Sequence, residues 1–229
     1  MTTHRFFVEP GTASADRFAL PDAIAHQVTR VLRLRDGDEI VLLEGDGQEV
    51  RSRLDGGWLE VVSRAPALGE PRHHLTVAQA MLKGDHLEPV VRHGTEVGIS
   101  RFELFVSDRC VVREISDARL TRLRAVAREA AEQSERGIVP EVVAPVPVND
   151  VVTNGSVLLF ERTDGPRLSE VAAPERLIIG PEGGFTADEV AAAERAGVTI
   201  AGLGPRILRS ESVAVAAAAV VLSRTGDFA

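Results

Sequence analysis

The sequence predicts an α/β protein that consists of a small N-terminal β-barrel and a larger C-terminal domain with a largely parallel sheet. In residues 1–70, short apolar segments are separated by glycine turns roughly every ten residues, a spacing typical of small barrels. From Leu75 onward, strand-like and helix-like segments alternate, which is typical of a parallel sheet with helices on both faces. We therefore expect one domain over residues 1–70 and another over 71–229, with a linker at Ala65–Pro71, where two prolines and a glycine occur.

The N-terminal domain is predicted to contain one helix among its strands. Apolar residues at helical spacing, with a proline near the start, place this helix at Pro21–Leu34. Segments bounded by Asp-Gly and Gly-Gly turns predict the strands, which are Arg5–Val8, Glu39–Glu44, Glu49–Leu54 and Trp58–Ser63.

The first part of the C-terminal domain is predicted to alternate strands and helices. The elements are a strand at Leu75–Met81, a helix at Asp85–Val97, a strand at Arg101–Ser107, a helix at Ser116–Arg136 and a strand at Val157–Glu161. Asp85 and Glu88 are spaced as a cap pair for the first of these helices, and Gly98 follows its last residue.

Residues 177 to 211 contain two consecutive strands that each end in a loop of glycine and proline. The strand Leu177–Ile179 is followed by the loop GPEGG at 180–184, and the strand Val198–Ala201 by the loop GLGPR at 202–206. Between them, Thr186 and Glu189 are spaced as a capping box that begins a helix, and Gly197 ends it. Ligands bind at the carboxyl ends of strands in open α/β sheets, so the two loops are a predicted ligand site.

The residues in these loops favour a ligand site over two ordinary tight turns. Neither loop has the spacing of the G-x-G-x-x-G or G-x-x-x-x-G-K-[ST] nucleotide motifs. Charged residues nevertheless crowd turns that are otherwise made of small residues, and they are Glu182, Arg206, Arg209 and Glu211.

Composition excludes some classes and leaves others open. With 34 acidic and 26 basic residues the net charge is −8, so the global charge does not indicate a nucleic-acid partner. The single cysteine, Cys110, excludes an internal disulfide and suits a reducing cytoplasm. The apolar run Val213–Leu222 is shorter than the ~18 residues of a membrane span, and the N-terminus lacks a signal-peptide pattern.

The last predicted helix, from Val213 to about Arg224, carries apolar or small residues on every side. A helix that is hydrophobic all round must be covered all round. We expect a homodimer through the C-terminal domain, and burial of the helix within one subunit is the alternative.

The motifs GPEGG at 180–184 and LGPRILRSES at 203–212 resemble those of the RsmE family of 16S rRNA uridine-N3 methyltransferases, which belongs to the SPOUT class. The resemblance covers nearly the whole chain. Its further segments are RFFV at 5–8, HQVTRVLRLRDGD at 26–38, EGDGQE at 44–49, KGDHLEPVVRHGTEVGI at 83–99 and EAAEQSERGIVP at 129–140. Arg92-His93-Gly94 departs from the usual Lys-Ala, and Ser210 stands for the usual Thr, which keeps the hydroxyl.

The resemblance implies a PUA-like, RNA-binding β-barrel and a SPOUT methyltransferase domain with a deep trefoil knot. It implies S-adenosylmethionine as cofactor and N3 of a specific uridine in 16S rRNA as target, with that rRNA lying within the small ribosomal subunit. Methyl transfer from a sulfonium needs positioning rather than a metal, and no His/Cys cluster has metal-ligand spacing.

The resemblance also suggests roles for individual residues. The expected cofactor contacts are Phe160, Glu161, Gly180, Pro181, Glu182, Gly183, Gly184, Leu203, Gly204, Ile207 and Leu208. Glu211 is the candidate general base for the N3 proton, and Arg209 or Arg206 would stabilise the uridinate. The alternative for Glu211 is a structural carboxylate that pairs with one of these arginines, and Glu182 is expected to order its own loop.

RNA contacts are expected from the N-terminal domain, from the end of the strand Leu75–Met81 and from the end of the helix Ser116–Arg136. The candidates are Arg5, His26, Arg30, Arg33, Arg35, Lys83, Gln133 and Arg136. A solvated helix face is the alternative for the charged run, and a solvated helix end is the alternative for the last two residues.

Two other functions compete with uridine-N3 methylation. A SPOUT enzyme with another RNA target, such as a ribose 2′-oxygen or a tRNA base, would carry the same cofactor loops. A non-catalytic RNA-binding or ribosome assembly protein is the other alternative, and the intact loops argue against it.

Overall fold

The computed structural model describes residues 3–228, which form two compact units. The first unit contains the residues up to Glu70 together with the segment Ala131–Val139. The second contains Pro71–Ala130 and the residues from Pro140 onward. The segment Ala131–Val139 thus groups with the N-terminal residues, whereas the sequence pattern assigns it to the C-terminal domain.

The first unit is built on one mixed five-stranded sheet in the order β1-β3-β4-β5-β2. The strands are β1 (His4–Phe7), β2 (Arg17–Ala19), β3 (Glu39–Leu43), β4 (Gln48–Asp55) and β5 (Trp58–Pro66). β1 and β3 are parallel and the other pairs are antiparallel. Both faces of β3 are buried: Ile40 and Leu42 belong to one apolar cluster, and Val41 and Leu43 to another. Closure of this sheet into a barrel stays a prediction.

Two sequence predictions for this unit need correction, and one strand was missed. The helix predicted at Pro21–Leu34 is a short α-helix, α1 (Asp22–His26), followed by a π-helical turn at Gln27–Val31, and helical geometry does not reach Leu34 because Arg33 has a left-handed φ of 56°. Strand β2 was not predicted, since three residues are too few to show a period. The predicted linker begins inside β5, which runs to Pro66.

The second unit contains an all-parallel six-stranded sheet in the order β11-β9-β10-β6-β7-β8. Its strands are β6 (Thr76–Ala80), β7 (Arg101–Val106), β8 (Glu141–Pro147), β9 (Val157–Leu159), β10 (Arg176–Ile179) and β11 (Thr199–Ala201). The helices are α2 (Leu87–Val97), α3 (Asp117–Gln133, whose last turn belongs to the first unit), α4 (Val148–Val151), α5 (Ala187–Arg195) and α6 (Ser210–Thr225). The parallel sheet predicted from the alternation is confirmed, and the knot stays a prediction.

The element β8 was missed because it contains Pro145 and Pro147, which the sequence pattern takes as breakers. Proline is tolerated in an edge strand, and β8 is the last strand in the order.

Helix ends were predicted with mixed success. The capping box is confirmed: the Glu189 amide donates to Thr186 Oγ1 at 3.1 Å and the Thr186 amide to Glu189 Oε2 at 2.8 Å. Gly98 ends α2 with a φ of 108°. The predicted cap of α2 is wrong, because the Glu88 carboxylate instead forms a two-pronged ion pair with Arg122, at 2.5 and 3.1 Å.

Helix α6 buries one face within the second unit, through Ala214, Ala217, Ala218, Val221 and Leu222. None of the helices in the described part of the chain combines the length and apolarity needed to cross a bilayer.

Candidate cofactor and active site

One cavity lies at the carboxyl ends of three neighbouring parallel strands. Strand β9 pairs with β11 on one side and with β10 on the other, so the segments that follow the three strands meet at one edge of the sheet. The lining consists of Leu159, Phe160, Glu161, Ile179, Gly180, Gly184, Phe185, Leu203, Gly204, Arg206, Ile207, Leu208, Ser210 and Val213. The two glycine-proline loops noted in the sequence therefore border a single cavity, and the end of β9 completes it.

Most of the residues predicted to contact a cofactor line this cavity. Those that do are Phe160, Glu161, Gly180, Gly184, Leu203, Gly204, Ile207 and Leu208. Pro181, Glu182 and Gly183 are outside the lining and serve to hold the loop. The Glu182 carboxylate accepts from the Lys83 amide at 2.9 Å, which ties this loop to the segment after β6, and the Gly183 carbonyl accepts from the Arg109 guanidinium at 2.9 Å.

Phe185 is a lining residue that sequence reasoning missed. It is buried and stacks on Phe105, with ring centroids 6.2 Å apart and an interplanar angle of 5°. A Cβ at position 180 would lie 3.0 Å from the Phe185 ring, so glycine permits the close approach there. The signal in the sequence was a large aromatic side chain directly after the glycine loop.

Ser210 is a second missed residue, and it connects the cavity wall to the centre of the sheet. Its hydroxyl donates to the Gly180 carbonyl at 2.5 Å and accepts from the Gln79 side-chain amide at 3.2 Å. Ser210 is 8% exposed and Gln79, in β6, is fully buried. The hydroxyl that a serine shares with the more usual threonine thus holds the first loop in place.

The three candidate catalytic residues lie at or near the cavity rim. Arg206 lines the cavity and is exposed. Arg209 precedes α6 and is also exposed, while Glu211 lies in the first turn of that helix. Within residues 3–228, the ion-pair partner of Glu211 is His86, at 3.6 Å from Nδ1 to Oε1, and neither arginine. The arginine pair considered above for Glu211 is therefore not formed among these residues, and the role of Glu211 stays a prediction.

The predicted RNA contacts differ strongly in exposure. His26, Arg30, Arg33 and Arg35 are all exposed, and within residues 3–228 none of the three arginines forms an ion pair. Lys83, in the second unit, is exposed as well.

Two arginines of the first unit are already held by carboxylates. The Arg5 side chain is 11% exposed and lies 2.9 Å from Glu135 and 3.7 Å from Glu49. Arg136 is 2% exposed and pairs with Glu70 at 3.2 Å, so it is a buried structural group rather than a side chain that reaches solvent. Gln133 is exposed at the end of α3.

No three His, Cys, Asp or Glu side chains in the part of the chain that the structure describes are grouped as a metal-binding set. The polar groups around the cavity are backbone amides and carbonyls, one hydroxyl and charged side chains, and this set suits an organic ligand.

Comparison with known proteins identifies the family. Residues 69–222 match the RNA methyltransferase domain family, which is more than half of the chain. The ribosomal RNA small subunit methyltransferase E of Synechocystis is 32% identical, over 95% of this chain and 77% of its own length. That of Bacillus subtilis is 30% identical, over 96% of each chain. The chain belongs to the RsmE family.

Solved structures of similar proteins share the fold of this RsmE-family chain. The methyltransferase E of Neisseria gonorrhoeae, in a crystal structure bound to S-adenosylmethionine, has a TM-score of 0.88 and 27% identity, and covers 97% of this chain and 98% of its own. A Legionella pneumophila protein in complex with the same cofactor has a TM-score of 0.84 and 25% identity, and covers 98% of each chain. The fold predicted from the resemblance, a parallel C-terminal sheet with a small N-terminal sheet, is confirmed.

Proposed function

We propose that the chain is an S-adenosylmethionine-dependent methyltransferase that methylates N3 of one uridine in the 16S rRNA of the small ribosomal subunit. The observation that carries this proposal is the cavity at the ends of β9, β10 and β11 in a chain of this family. The Neisseria relative with the same fold binds S-adenosylmethionine.

The residues of the cavity fit that ligand. Two glycines in the lining, Gly184 and Gly204, have φ angles of 67° and 126°, which side-chain-bearing residues rarely adopt. They leave backbone groups accessible to an adenosine. Ile207 and Leu208 are 75% and 38% exposed, which is unusual for large apolar side chains beside a cavity, and a bound apolar or aromatic group would cover them.

When bound, S-adenosylmethionine supplies a methyl group on a positively charged sulfur, which a ring nitrogen can take in one displacement. The protein's task is to hold the uridine in line and to manage the charge and the proton of N3. In this proposal Arg206 and Arg209 would stabilise negative charge on the base, and Glu211 would accept the proton. Phe160, Glu161, Leu203 and the two glycine loops would hold the cofactor.

RNA is proposed to contact the exposed cations of the first unit. Phosphates attract unpaired arginines, and Arg30, Arg33 and Arg35 are exposed within one six-residue segment that follows the exposed His26. Lys83 and Gln133 are retained as candidates because both are exposed. We leave Arg5 and Arg136 out of the RNA-contacting set because their side chains are engaged by carboxylates.

A homodimer through the C-terminal domain is part of the proposal. Outside its buried face, α6 presents half-exposed apolar residues, which are Val213, Val215, Ala216, Ala219 and Val220. A second copy of the chain would cover this stripe with small side chains that permit close helix contact. A cytoplasmic location follows from a substrate in the ribosome.

The decisive test is mass mapping of 16S rRNA from a strain that lacks this protein. We expect the N3-methyluridine to disappear and to return when the wild-type chain is supplied. Persistence of the modification would refute the target, and methylation of a ribose or of tRNA by the purified protein would support another SPOUT activity.

A second test addresses Glu211. We expect Glu211→Gln to bind S-adenosylmethionine in calorimetry as the wild type does, but to lose methyl transfer. Glu129→Gln, an exposed carboxylate on α3, is the matched control and should retain activity. Wild-type turnover in Glu211→Gln would remove this residue from the mechanism.

A further inference from the structure

His86 is a titratable neighbour of Glu211, and the proposed chemistry does not yet use it. The two side chains approach to 3.6 Å between Nδ1 and Oε1, an ion-pair distance rather than a hydrogen bond. Catalytic hydrogen bonds are often long without substrate and tighten in the reacting complex.

The backbone around His86 is held in a defined turn. The His86 amide donates to the Lys83 carbonyl at 3.3 Å, Gly84 has a φ of 49°, and the Arg119 guanidinium donates to the Gly84 carbonyl. His86 directly precedes α2, so the imidazole projects from a fixed point opposite the start of α6. The pair therefore joins the segment that precedes α2 to the first turn of α6.

The two partners differ in their access to water. The Glu211 side chain is 19% exposed, whereas the His86 side chain is 46% exposed. The imidazole is therefore the more accessible of the two groups to water.

Several charged groups on the segments around His86 and Glu211 have partners of their own. The charged residues on these segments are Lys83, Asp85, Glu88, Arg119, Arg122, Glu182, Arg206 and Arg209. Glu88 is taken by Arg122, Glu182 accepts from the Lys83 amide, and Arg119 binds the Gly84 carbonyl. Among the described residues, the ion pair of His86 is made with Glu211.

We propose that His86 relays to solvent the uridine proton that Glu211 accepts, an inference that rests on the proposed function. The N3–H bond breaks as N3 bonds to the methyl carbon, and the proton passes to a Glu211 oxygen. Glu211 then transfers it to His86 Nδ1, and the imidazolium releases its Nε2 proton to water. The S–CH₃ bond breaks with its electrons on sulfur, so charge and atoms balance, and Glu211 is again ionised.

The direction of transfer follows from the basicity of the two groups. In model compounds, imidazole holds a proton about two pK units more strongly than a glutamate carboxylate does. In the relay, the Glu211 carboxyl gives its proton to a neutral imidazole. An imidazole that is already protonated cannot accept it, so methyl transfer should slow as the pH falls.

The test is single-turnover methyl transfer to small ribosomal subunits at pH values from 5 to 9. We expect His86→Asn to slow transfer by about 100-fold, at the lower end of the range for a positioned proton acceptor, and to make the rate depend less on pH. Binding of S-adenosylmethionine and of the subunit should change less than about twofold, because His86 does not line the cavity.

Three comparisons make the outcome decisive. His93→Asn is the matched control, since His93 is an exposed histidine on α2 that pairs with Glu96 at 3.0 Å, and it should behave as the wild type. His86→Lys keeps a positive charge but does not titrate in this range, so it should remain slow. In NMR, Glu211→Gln should shift the ring nitrogens of His86 and leave those of His93 unchanged.

Two results would overturn the relay: a wild-type rate and pH profile in His86→Asn, or full recovery in His86→Lys, which would assign His86 a purely electrostatic role. His86→Gln repeats the test if the asparagine variant does not fold. Loss of the proposed function is a separate outcome, recognised by the absence of methyl transfer in the wild-type protein.

Discussion

Ser210→Ala tests whether one hydroxyl holds the first glycine loop against the sheet. The substitution removes the donor to the Gly180 carbonyl and one of the two acceptors of the Gln79 amide, which still donates to Ala80. A buried polar group that loses its partner costs about 1–3 kcal/mol, and Ser210 is buried enough for a value near ~2 kcal/mol. For a chain of this length, that predicts a fall in Tm of about 4–8 °C.

The same loss should appear in cofactor affinity if the loop must be ordered for binding. A change of ~2 kcal/mol corresponds to a rise in Kd of about 30-fold. Thermal denaturation measures the first effect and calorimetry with S-adenosylmethionine measures the second. Ser210→Thr keeps the hydroxyl and should bind as the wild type does.

Ser212→Ala is the control for the loss of a hydroxyl in the same helix turn, because Ser212 is exposed and its described bond is made by the backbone amide. If Ser210→Ala matches this control in both Tm and Kd, the hydroxyl does not support the loop and the reasoning fails.

Two further predictions concern stability. Gly197→Ala places a Cβ where φ is 82° and where Asn154 Oδ1 would lie 2.4 Å away, so urea denaturation should show a loss of about 1 kcal/mol in unfolding free energy. If the loss persists in the double variant Asn154→Ala, Gly197→Ala, it comes from the backbone conformation rather than from the contact. No loss in either variant would contradict the argument. Burial raises the pKa of Glu103, but the hydrogen bonds and charges of Arg176 and Arg101 outweigh it and hold that pKa below its usual range. A carboxylate whose pKa is lower in the folded state stabilises the protein above its unfolded pKa of about 4.3, and this stability is lost as the pH falls through the folded pKa. Glu103→Gln should therefore be less stable than the wild type at pH 7, and the difference should shrink in acid. A difference independent of pH would show that ionisation of Glu103 is not involved.

Features that depend on neighbouring residues were predictable from the sequence. The Thr186–Glu189 capping box is formed by groups three residues apart, and the turn at Gly98 needs only a residue that tolerates positive φ. The parallel sheet followed from alternating apolar segments, and the loops at its carboxyl edge followed from glycine and proline. Strands β2 and β8 escaped detection because one is too short and the other contains prolines that only an edge position permits.

Contacts between residues distant in sequence were decided by the tertiary structure. The bond from Ser210 to Gly180, the approach of His86 to Glu211 and the burial of Arg136 against Glu70 each join segments whose local patterns carry no mark of the partner. The local sequence determines which backbone conformation a residue can adopt. The electrostatic surroundings of its side chain depend on which other segment the packed sheet brings within a few ångströms. The chemical class of the site was therefore visible in the sequence, and the partners of its charged groups were not.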